Sequence, residues 1–218
     1  MQWALGLLGA LVLGWLAVGR AAADLDRLLL LAQQRYGAYA VQTAGDWRRL
    51  MQQGRGLADR DKLTLVNTFF NRRMFYKTDR EVYRLDDYWA TPLELMGHAA
   101  GDCEDFVIAK YATLRLLGVP NQRLRLVYVR YQSGNTAPIA HMVLGYYAEA
   151  SQEPLILDSL ITSIRSASMR PDLMPVYSFN SDGLWVGAAS ISGDPTTRLS
   201  RWRDVLERMR QDGLELPP

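Results

Sequence analysis

The sequence is poor in reactive side chains: among 218 residues there is one cysteine, Cys103, and there are two histidines. One cysteine cannot form a disulfide within the chain, and the sequence holds no cluster of Cys and His with metal-ligand spacing. Lys and Arg (25) nearly balance Asp and Glu (23), and the charges are interspersed, so a nucleic-acid surface is not indicated. Internal repeats are also lacking, which excludes a repeat protein. The lone thiol is therefore either buried and inert or kept for its reactivity.

What is present is the composition of a globular protein, with 49% hydrophobic and 22% charged residues. A chain of this length can build one sizeable core but falls short of two ordinary domains. We therefore predict a single domain over residues 24–218.

The N-terminal segment is predicted to be an export signal. Residues 1–19 are apolar except for Gln2, and Arg20-Ala21-Ala22-Ala23 ends the run with an A-x-A pattern. This pattern predicts a secretory signal peptide over residues 1–23, cleaved after Ala23. No Lys or Arg precedes the apolar run, so an uncleaved membrane anchor is the alternative, although the run falls just short of a full span. A signal peptide would deliver the mature chain to an oxidising compartment.

Cys103 lies where a long buried helix is predicted to begin. Asp102 is a good N-cap, and Gly118 with Pro120 supplies a stop. The run from Phe106 to Leu117 is apolar on nearly every side, which is typical of a core helix. The positive end of the helix dipole should lower the pKa of a thiol in the first turn.

Three carboxylates, those of Asp102, Glu104 and Asp105, adjoin this thiol. Helix capping alone would account for them. Their negative field should nevertheless raise the pKa of Cys103, unless they point to water or a cation neutralises them. Calcium suits such oxygen ligands best in an extracytoplasmic setting. Three adjacent acids cannot complete a site of six or more oxygens, so backbone carbonyls and water would have to contribute.

The hydrophobic spacing predicts an α+β fold in which the Cys103 helix packs on an antiparallel sheet. Helices are predicted at residues 24–36, 38–53, 63–75 and 197–210, and strands at residues 123–131, 139–147 and 154–158. Short links between the three strands indicate an antiparallel meander.

A nucleophilic thiol needs a base within reach and a third group that orients the base. His98 precedes Cys103 by five residues and has no obvious orienting partner. His141 is predicted near the start of the second strand and Asp158 at the end of the third. The hairpin between these strands sets Asp158 opposite Val143, and hence diagonal to His141 on one face. Singly, they could be a core histidine and a strand-end cap; with Cys103 they predict a catalytic triad, provided the register does not slip.

Four motifs, in this order, resemble those of the bacterial transglutaminase-like cysteine proteinases. They are Asp87-Tyr88-Trp89-Ala90-Thr91-Pro92-Leu93-Glu94, Gly101-Asp102-Cys103-Glu104-Asp105-Phe106 with Ala109-Lys110-Tyr111, His141-Met142-Val143-Leu144, and Leu157-Asp158. The resemblance implies a papain-like, transglutaminase-like core with Cys103 as the nucleophile, His141 as the base and Asp158 orienting the imidazole. It also implies calcium bound by Asp102 and Glu104.

The same resemblance, which is strongest to periplasmic proteases that release biofilm adhesins, implies a calcium-dependent periplasmic endopeptidase. Its expected substrate is a large cell-surface adhesin, cut near its N-terminus at a di-alanine site. Its expected controller is an inner-membrane cyclic-diguanylate receptor that sequesters the protease. The backbone N–H of Cys103 is expected to donate to the oxyanion, with Trp89 and Asn67 as weaker candidates. Two alternatives stay open: a non-catalytic binding partner of a membrane receptor, and an acyl-transferring transglutaminase.

Overall fold

The computed structural model describes residues 25–187, 189–191 and 193–217. The predicted signal peptide at residues 1–23 lies outside these described residues. Within them, no helix combines the length and the apolar character that crossing a bilayer would require.

Three helices open the fold, as the hydrophobic spacing predicts: α1 (25–36), α2 (Ala38–Gly54) and α3 (Asp59–Arg73). The predicted bounds of the third helix, 63–75, are wrong at both ends. The helix begins earlier because Asp59 and Asp61, in its first turn, interact favourably with the positive end of the helix dipole. It ends earlier because Phe75–Tyr76 forms a short strand, β1.

Strand β1 pairs in parallel with β2 (Ala100–Gly101), the segment directly before the cysteine helix. Its Phe75 N–H donates to the carbonyl of Ala99 at 2.9 Å. Two short helices, α4 (Asp79–Val82) and α5 (Pro92–His98), occupy the connection between the two strands. Thr91 and Glu94 form a capping box at the start of α5.

The cysteine helix, α6 (Cys103–Leu116), forms the centre of the core. Asp102 is its N-cap, and Gly118, with φ of 82°, follows its C-terminal end, both as predicted. The helix contacts α3, α5 and the central strands of the large sheet. Almost every side chain from Cys103 to Arg115 is buried, which agrees with the apolar composition of the helix.

The large sheet has seven antiparallel strands in the order β6-β5-β4-β3-β7-β8-β9. Their bounds are Leu124–Tyr131 (β3), Ile139–Tyr146 (β4), Leu155–Leu157 (β5), Arg165–Ser166 (β6), Leu173–Phe179 (β7), Leu184–Val186 (β8) and Ala189–Ile191 (β9). The predicted meander corresponds to β3, β4 and β5. Strand β7 returns to pair with the free side of β3, which places the meander inside a wider sheet.

The C-terminal helix is divided, whereas the sequence predicts one helix at 197–210. Helix α7 (Pro195–Arg198) begins at Asp194, whose side chain accepts the Thr196 N–H at 2.8 Å. Leu199 then leaves the helical conformation (φ −114°, ψ 86°), and α8 (Ser200–Gln211) begins after it. The N-cap at Asp194 thus starts a helical turn too early to be continuous with α8.

Candidate active site

Cys103 is the first residue of α6 and is 9% exposed. Because α6 packs on β4, the sulfur lies within hydrogen-bonding reach of the backbone N–H of Met142, the residue after His141. The thiol donates to Glu104 Oε2 over 2.9 Å. The predicted nucleophile therefore lies at the mouth of the core helix, beside the strand that carries the predicted base.

His141 and Asp158 meet across β4 and β5. The observed register pairs Leu144 with Leu157, so that the next position along sets Asp158 opposite Val143, as the hairpin argument predicts. His141 Nε2 lies 2.8 Å from Asp158 Oδ1, and the two residues are 1% and 0% exposed. With Nε2 held by the carboxylate, Nδ1 is the ring nitrogen left to accept a proton.

Asp158 is held by more groups than His141 alone. Its Oδ1 also accepts the Leu160 N–H at 3.0 Å, and its Oδ2 accepts from Arg170 Nη2 at 2.7 Å. Burial by itself would raise the pKa of Asp158, but the hydrogen bonds and the positive charge of neighbouring groups outweigh it and lower the pKa to about 2. The carboxylate is therefore ionised and fixed.

Lys110 and Arg170 also belong to this site, although neither was predicted from the sequence to be a site residue. Lys110 is 0% exposed and donates through Nζ to the main-chain carbonyl of Asp158 at 3.0 Å. Burial lowers the pKa of Lys110 to about 7. A lysine inside a helix that is apolar on all sides is a signal that the sequence does contain. Arg170 follows a short 3-10 helix in an irregular segment, and no periodicity identifies it.

The acids beside the thiol form a compact cluster that also includes Asp79. Ligand oxygens of Asp79, Asp102 and Asp105 lie within 4.8 Å of one another, as do ligand atoms of Asp102, Cys103 and Glu104. Asp79 begins α4, and its Oδ2 accepts the Tyr88 N–H at 2.6 Å. Across the described residues, Asp79 Oδ1 and Asp102 Oδ1 are among the few buried side-chain oxygens that have no hydrogen-bond partner.

Burial and, after it, the crowding of like charges shift the pKa values of this cluster. Burial, followed by the Glu104 and Asp105 carboxylates, raises the pKa of Asp102 to about 9. Burial also raises the pKa of Asp79 to about 6. Burial and the carboxylates of Glu104 and Asp102 raise the pKa of the Cys103 thiol. The expectation that the helix dipole lowers the thiol pKa is therefore wrong for the protein without a cation.

Asp105 has a different role from its two acidic neighbours. It is fully buried, and its two oxygens accept the backbone N–H of Ala90 at 2.7 Å and that of Asp102 at 3.3 Å. It therefore ties the start of α6 to the segment before α5. Asp87, which is exposed, comes within 4.8 Å of Asp79 and Glu104 and also pairs with Arg201 at 3.0 Å.

Three other residues considered from the sequence have structural partners. His98 is an exposed residue at the end of α5, and its ring packs edge-on to Tyr36 and Tyr83. Asn67 donates its side-chain N–H to the carbonyl of Thr162 at 2.7 Å. Trp89 stacks on Phe179, with ring centroids 5.8 Å apart.

Several known proteins resemble this chain over most of its length. A family model described as bacterial transglutaminase-like cysteine proteinase matches residues 43–186. The structure of Legionella pneumophila LapG is 39% identical, with a TM-score of 0.73, and the match covers 85% of this chain and 97% of that one. A calcium-bound LapG from the same organism is also 39% identical, with a TM-score of 0.73 and 85% and 98% coverage. An EGTA-treated LapG is 41% identical, with a TM-score of 0.75 and 85% and 97% coverage. None of the curated proteins that were compared matches the chain.

Proposed function

The chain belongs to the bacterial transglutaminase-like cysteine proteinases, and we propose that it is a calcium-dependent cysteine endopeptidase with Cys103, His141 and Asp158 as its catalytic triad. The observation that carries the proposal is the buried hydrogen bond between His141 Nε2 and Asp158 Oδ1, which is 2.8 Å long. His141 lies on β4, the strand that packs against the helix that begins at Cys103. If His141 were only a core residue, one neutral hydrogen-bond partner would be enough for its ring. Instead, its partner is an ionised carboxylate, and the second oxygen of that carboxylate accepts a hydrogen bond from Arg170.

In the proposed reaction, His141 Nδ1 takes the proton of Cys103, and the resulting thiolate attacks the scissile carbonyl. Asp158 keeps the imidazole oriented and stabilises its charged form. The backbone N–H of Cys103, at the N-terminus of α6, is a candidate donor to the oxyanion. The imidazolium then protonates the leaving amine, and water releases the acyl group from the sulfur.

The residues around the thiol fit a calcium ion. Asp79, Asp102 and Glu104 offer hard oxygen ligands within a few ångströms, and two of these acids carry buried oxygens without a partner in the described part of the chain. The similarity to a calcium-bound LapG supports the same assignment. Bound calcium would supply positive charge against the carboxylates that disfavour the thiolate.

The proposed substrate is a large cell-surface adhesin cut near its N-terminus at a di-alanine site, so that cleavage promotes biofilm release. The proposed controller is an inner-membrane cyclic-diguanylate receptor, and the proposed location is the periplasm. These assignments are supported by the motif resemblance and by the likeness to LapG. The apolar segment at residues 1–19 is in keeping with export.

The test is to incubate the purified protein with the large surface proteins of its own cell, with calcium present. We expect the wild type to cut one of them and Cys103→Ala to cut none, while both variants melt at about the same temperature. Turnover that persists in Cys103→Ala would end the proposal. Adding an amine donor and analysing the products by mass spectrometry separates hydrolysis from acyl transfer, and binding by the wild type without cleavage would favour the non-catalytic alternative.

A further inference from the structure

Arg170 makes a contact with the catalytic acid that the proposed chemistry does not yet use. The residue is 2% exposed, and its Nη2 donates to Asp158 Oδ2 at 2.7 Å. The other oxygen of Asp158 is the one that faces His141 Nε2 and the Leu160 N–H. Arg170 thus occupies one oxygen of the carboxylate and leaves the other for the imidazole.

Arg170 is itself anchored on both its backbone and its side chain. Its N–H donates to the carbonyl of Ala167 at 2.9 Å, and its carbonyl accepts the Leu173 N–H at 3.1 Å, which closes the turn into β7. Its Nε and Nη2 both donate to Asp172, at distances between 2.8 and 3.2 Å. A guanidinium held in this forked geometry has little freedom to move away from Asp158.

The summed charge of Asp158, Arg170 and Asp172 is favourable for a histidine that takes up a proton. Asp158 and Asp172 carry one negative charge each and Arg170 one positive charge, so one negative charge remains to face an imidazolium at His141. Without Asp172, the positive charge of Arg170 would cancel that of Asp158. Lys110 contacts the main-chain carbonyl of Asp158, not its carboxylate.

A buried ion pair contributes little net stability, because the cost of removing the charges from water offsets their attraction. The pair between Arg170 and Asp158 is nevertheless fully buried beside the imidazole of His141. We propose that Arg170, anchored by Asp172, is a positioning residue that fixes the Asp158 carboxylate so that one chosen oxygen faces His141. This inference rests on the proposed triad and extends it to a chain of four residues.

The test uses substitutions at 170 and 172 in the full chain, with two readouts. The first is the NMR signal of the Nε2 proton that His141 shares with Asp158, which moves far downfield in a short hydrogen bond to a carboxylate. The only other histidine, His98, is exposed, so its ring N–H exchanges with water and gives no competing signal. The second is the rate of cleavage of the surface protein.

We expect Arg170→Gln to broaden or abolish the downfield signal and to slow cleavage by about 10- to 100-fold, since a small misplacement of a catalytic group has effects of this order. Arg170→Lys should restore part of the signal and part of the rate, because the ammonium group keeps the charge and can donate to Asp158 but lacks the planar fork of the guanidinium. The double variant Arg170→Gln with Asp172→Asn preserves the summed charge but lacks the fork, and it should not recover.

Arg125→Gln is the matched control. Arg125 lies in the wall of the same cavity of about 450 Å³ as Arg170, but it stacks over Trp185 and Tyr147 and makes no contact with Asp158. Both readouts should match the wild type in this variant.

An unchanged signal and rate in Arg170→Gln would overturn the inference, as would recovery in the double variant or a wild-type protein without a downfield proton. If Arg170→Gln does not fold, the same two readouts are taken on Arg170→Lys and Asp172→Asn. A signal and a rate equal to those of the wild type in both variants would overturn the inference, and a weakened signal in either variant would support it. Lack of cleavage by the wild type would count against the proposed function alone, because the proton signal does not depend on a substrate.

Discussion

The two halves of the candidate site differ in how complete they are. On the imidazole side, both oxygens of Asp158 have donors, and the pKa of this acid is lowered to about 2 despite its burial. On the sulfur side, carboxylates crowd together, and burial and like charge raise the pKa of Asp102 to about 9. The thiol on that side donates a hydrogen bond to Glu104.

The difference indicates that the imidazole side is organised by the protein alone, whereas the sulfur side depends on a bound cation. The polypeptide alone organises the proposed base and its acid, because both oxygens of the Asp158 carboxylate have donors and one of these donors is the charged Arg170. The nucleophile side has negative charge without compensation, and it becomes favourable for a thiolate only when a cation is added. Activity would then depend on calcium through the sulfur and not through the imidazole.

A substitution on the imidazole side should have the largest effect on the rate of cleavage. Asp158→Asn removes the charge that stabilises the imidazolium and leaves Arg170 and Lys110 near a neutral group. Cleavage should fall by about 10³- to 10⁴-fold, as is usual when the acid of a triad is neutralised. Steady-state cleavage assays with the wild type and the variant measure it; a loss below about tenfold would contradict the assigned role.

Substitutions on the sulfur side should abolish the response of the melting temperature to calcium. In the wild type, calcium at about 100 times its dissociation constant should raise the free energy of unfolding by about 2.7 kcal/mol. A chelator should remove this stabilisation and should also abolish cleavage. Asp102→Asn and Glu104→Gln should melt at temperatures that no longer depend on calcium. Thermal unfolding with and without chelator measures this, with Asp87→Asn as a milder comparison; equal calcium shifts in all of these proteins would contradict the assigned ligands.

The anchoring of the sulfur side can be tested at Gly101, the last residue of β2, which lies directly before the N-cap of α6. A Cβ at this position would lie 2.4 Å from Asp105 Oδ2 and 2.8 Å from Leu95 Cδ1. Gly101→Ala should therefore displace the Asp105 side chain and lower the free energy of unfolding by about 1–3 kcal/mol. Urea denaturation checks this, and Gly45→Ala, where a Cβ meets only the end of the Arg49 side chain at 4.0 Å, is the control.

The smallest expected effect concerns Lys110, whose pKa is lowered to about 7 by burial. Above that pH the unfolded chain still binds the proton that the folded chain has lost, so the free energy of unfolding rises with pH toward the ordinary pKa of lysine. Lys110→Met should lack this rise, which amounts to about 1 kcal/mol between pH 7 and 8. Denaturation curves of both proteins at the two pH values measure it; parallel pH dependence would show that Lys110 stays protonated.

The features that were predictable from the sequence are those set by neighbouring residues. Asp102 and Gly118 mark the ends of α6 because capping is local. The register that joins His141 to Asp158 follows from the alternation of side chains and the length of one hairpin. The family assignment also followed from the motifs, and the comparisons confirm it.

What the sequence did not predict depends on contacts between distant segments. Asp79 joins the acids of α6 only because β1 and β2 pair and bring α4 beside them. Arg170 reaches Asp158 only because the chain returns through β7 to the far side of β3. No periodic pattern in either segment predicts these contacts. The C-terminal helix is divided at Leu199 because the N-cap at Asp194 starts a separate helical turn, which the hydrophobic spacing does not reveal.

The most direct test of the division between the two halves is the rate at which iodoacetamide alkylates the chain with and without calcium. The chain has a single cysteine, so the labelling rate reports on Cys103 alone. We expect calcium to accelerate labelling in the wild type, and to have no effect in Asp102→Asn, because the cation offsets the charge that disfavours the thiolate. A labelling rate that is the same with calcium and with chelator in the wild type would contradict the account.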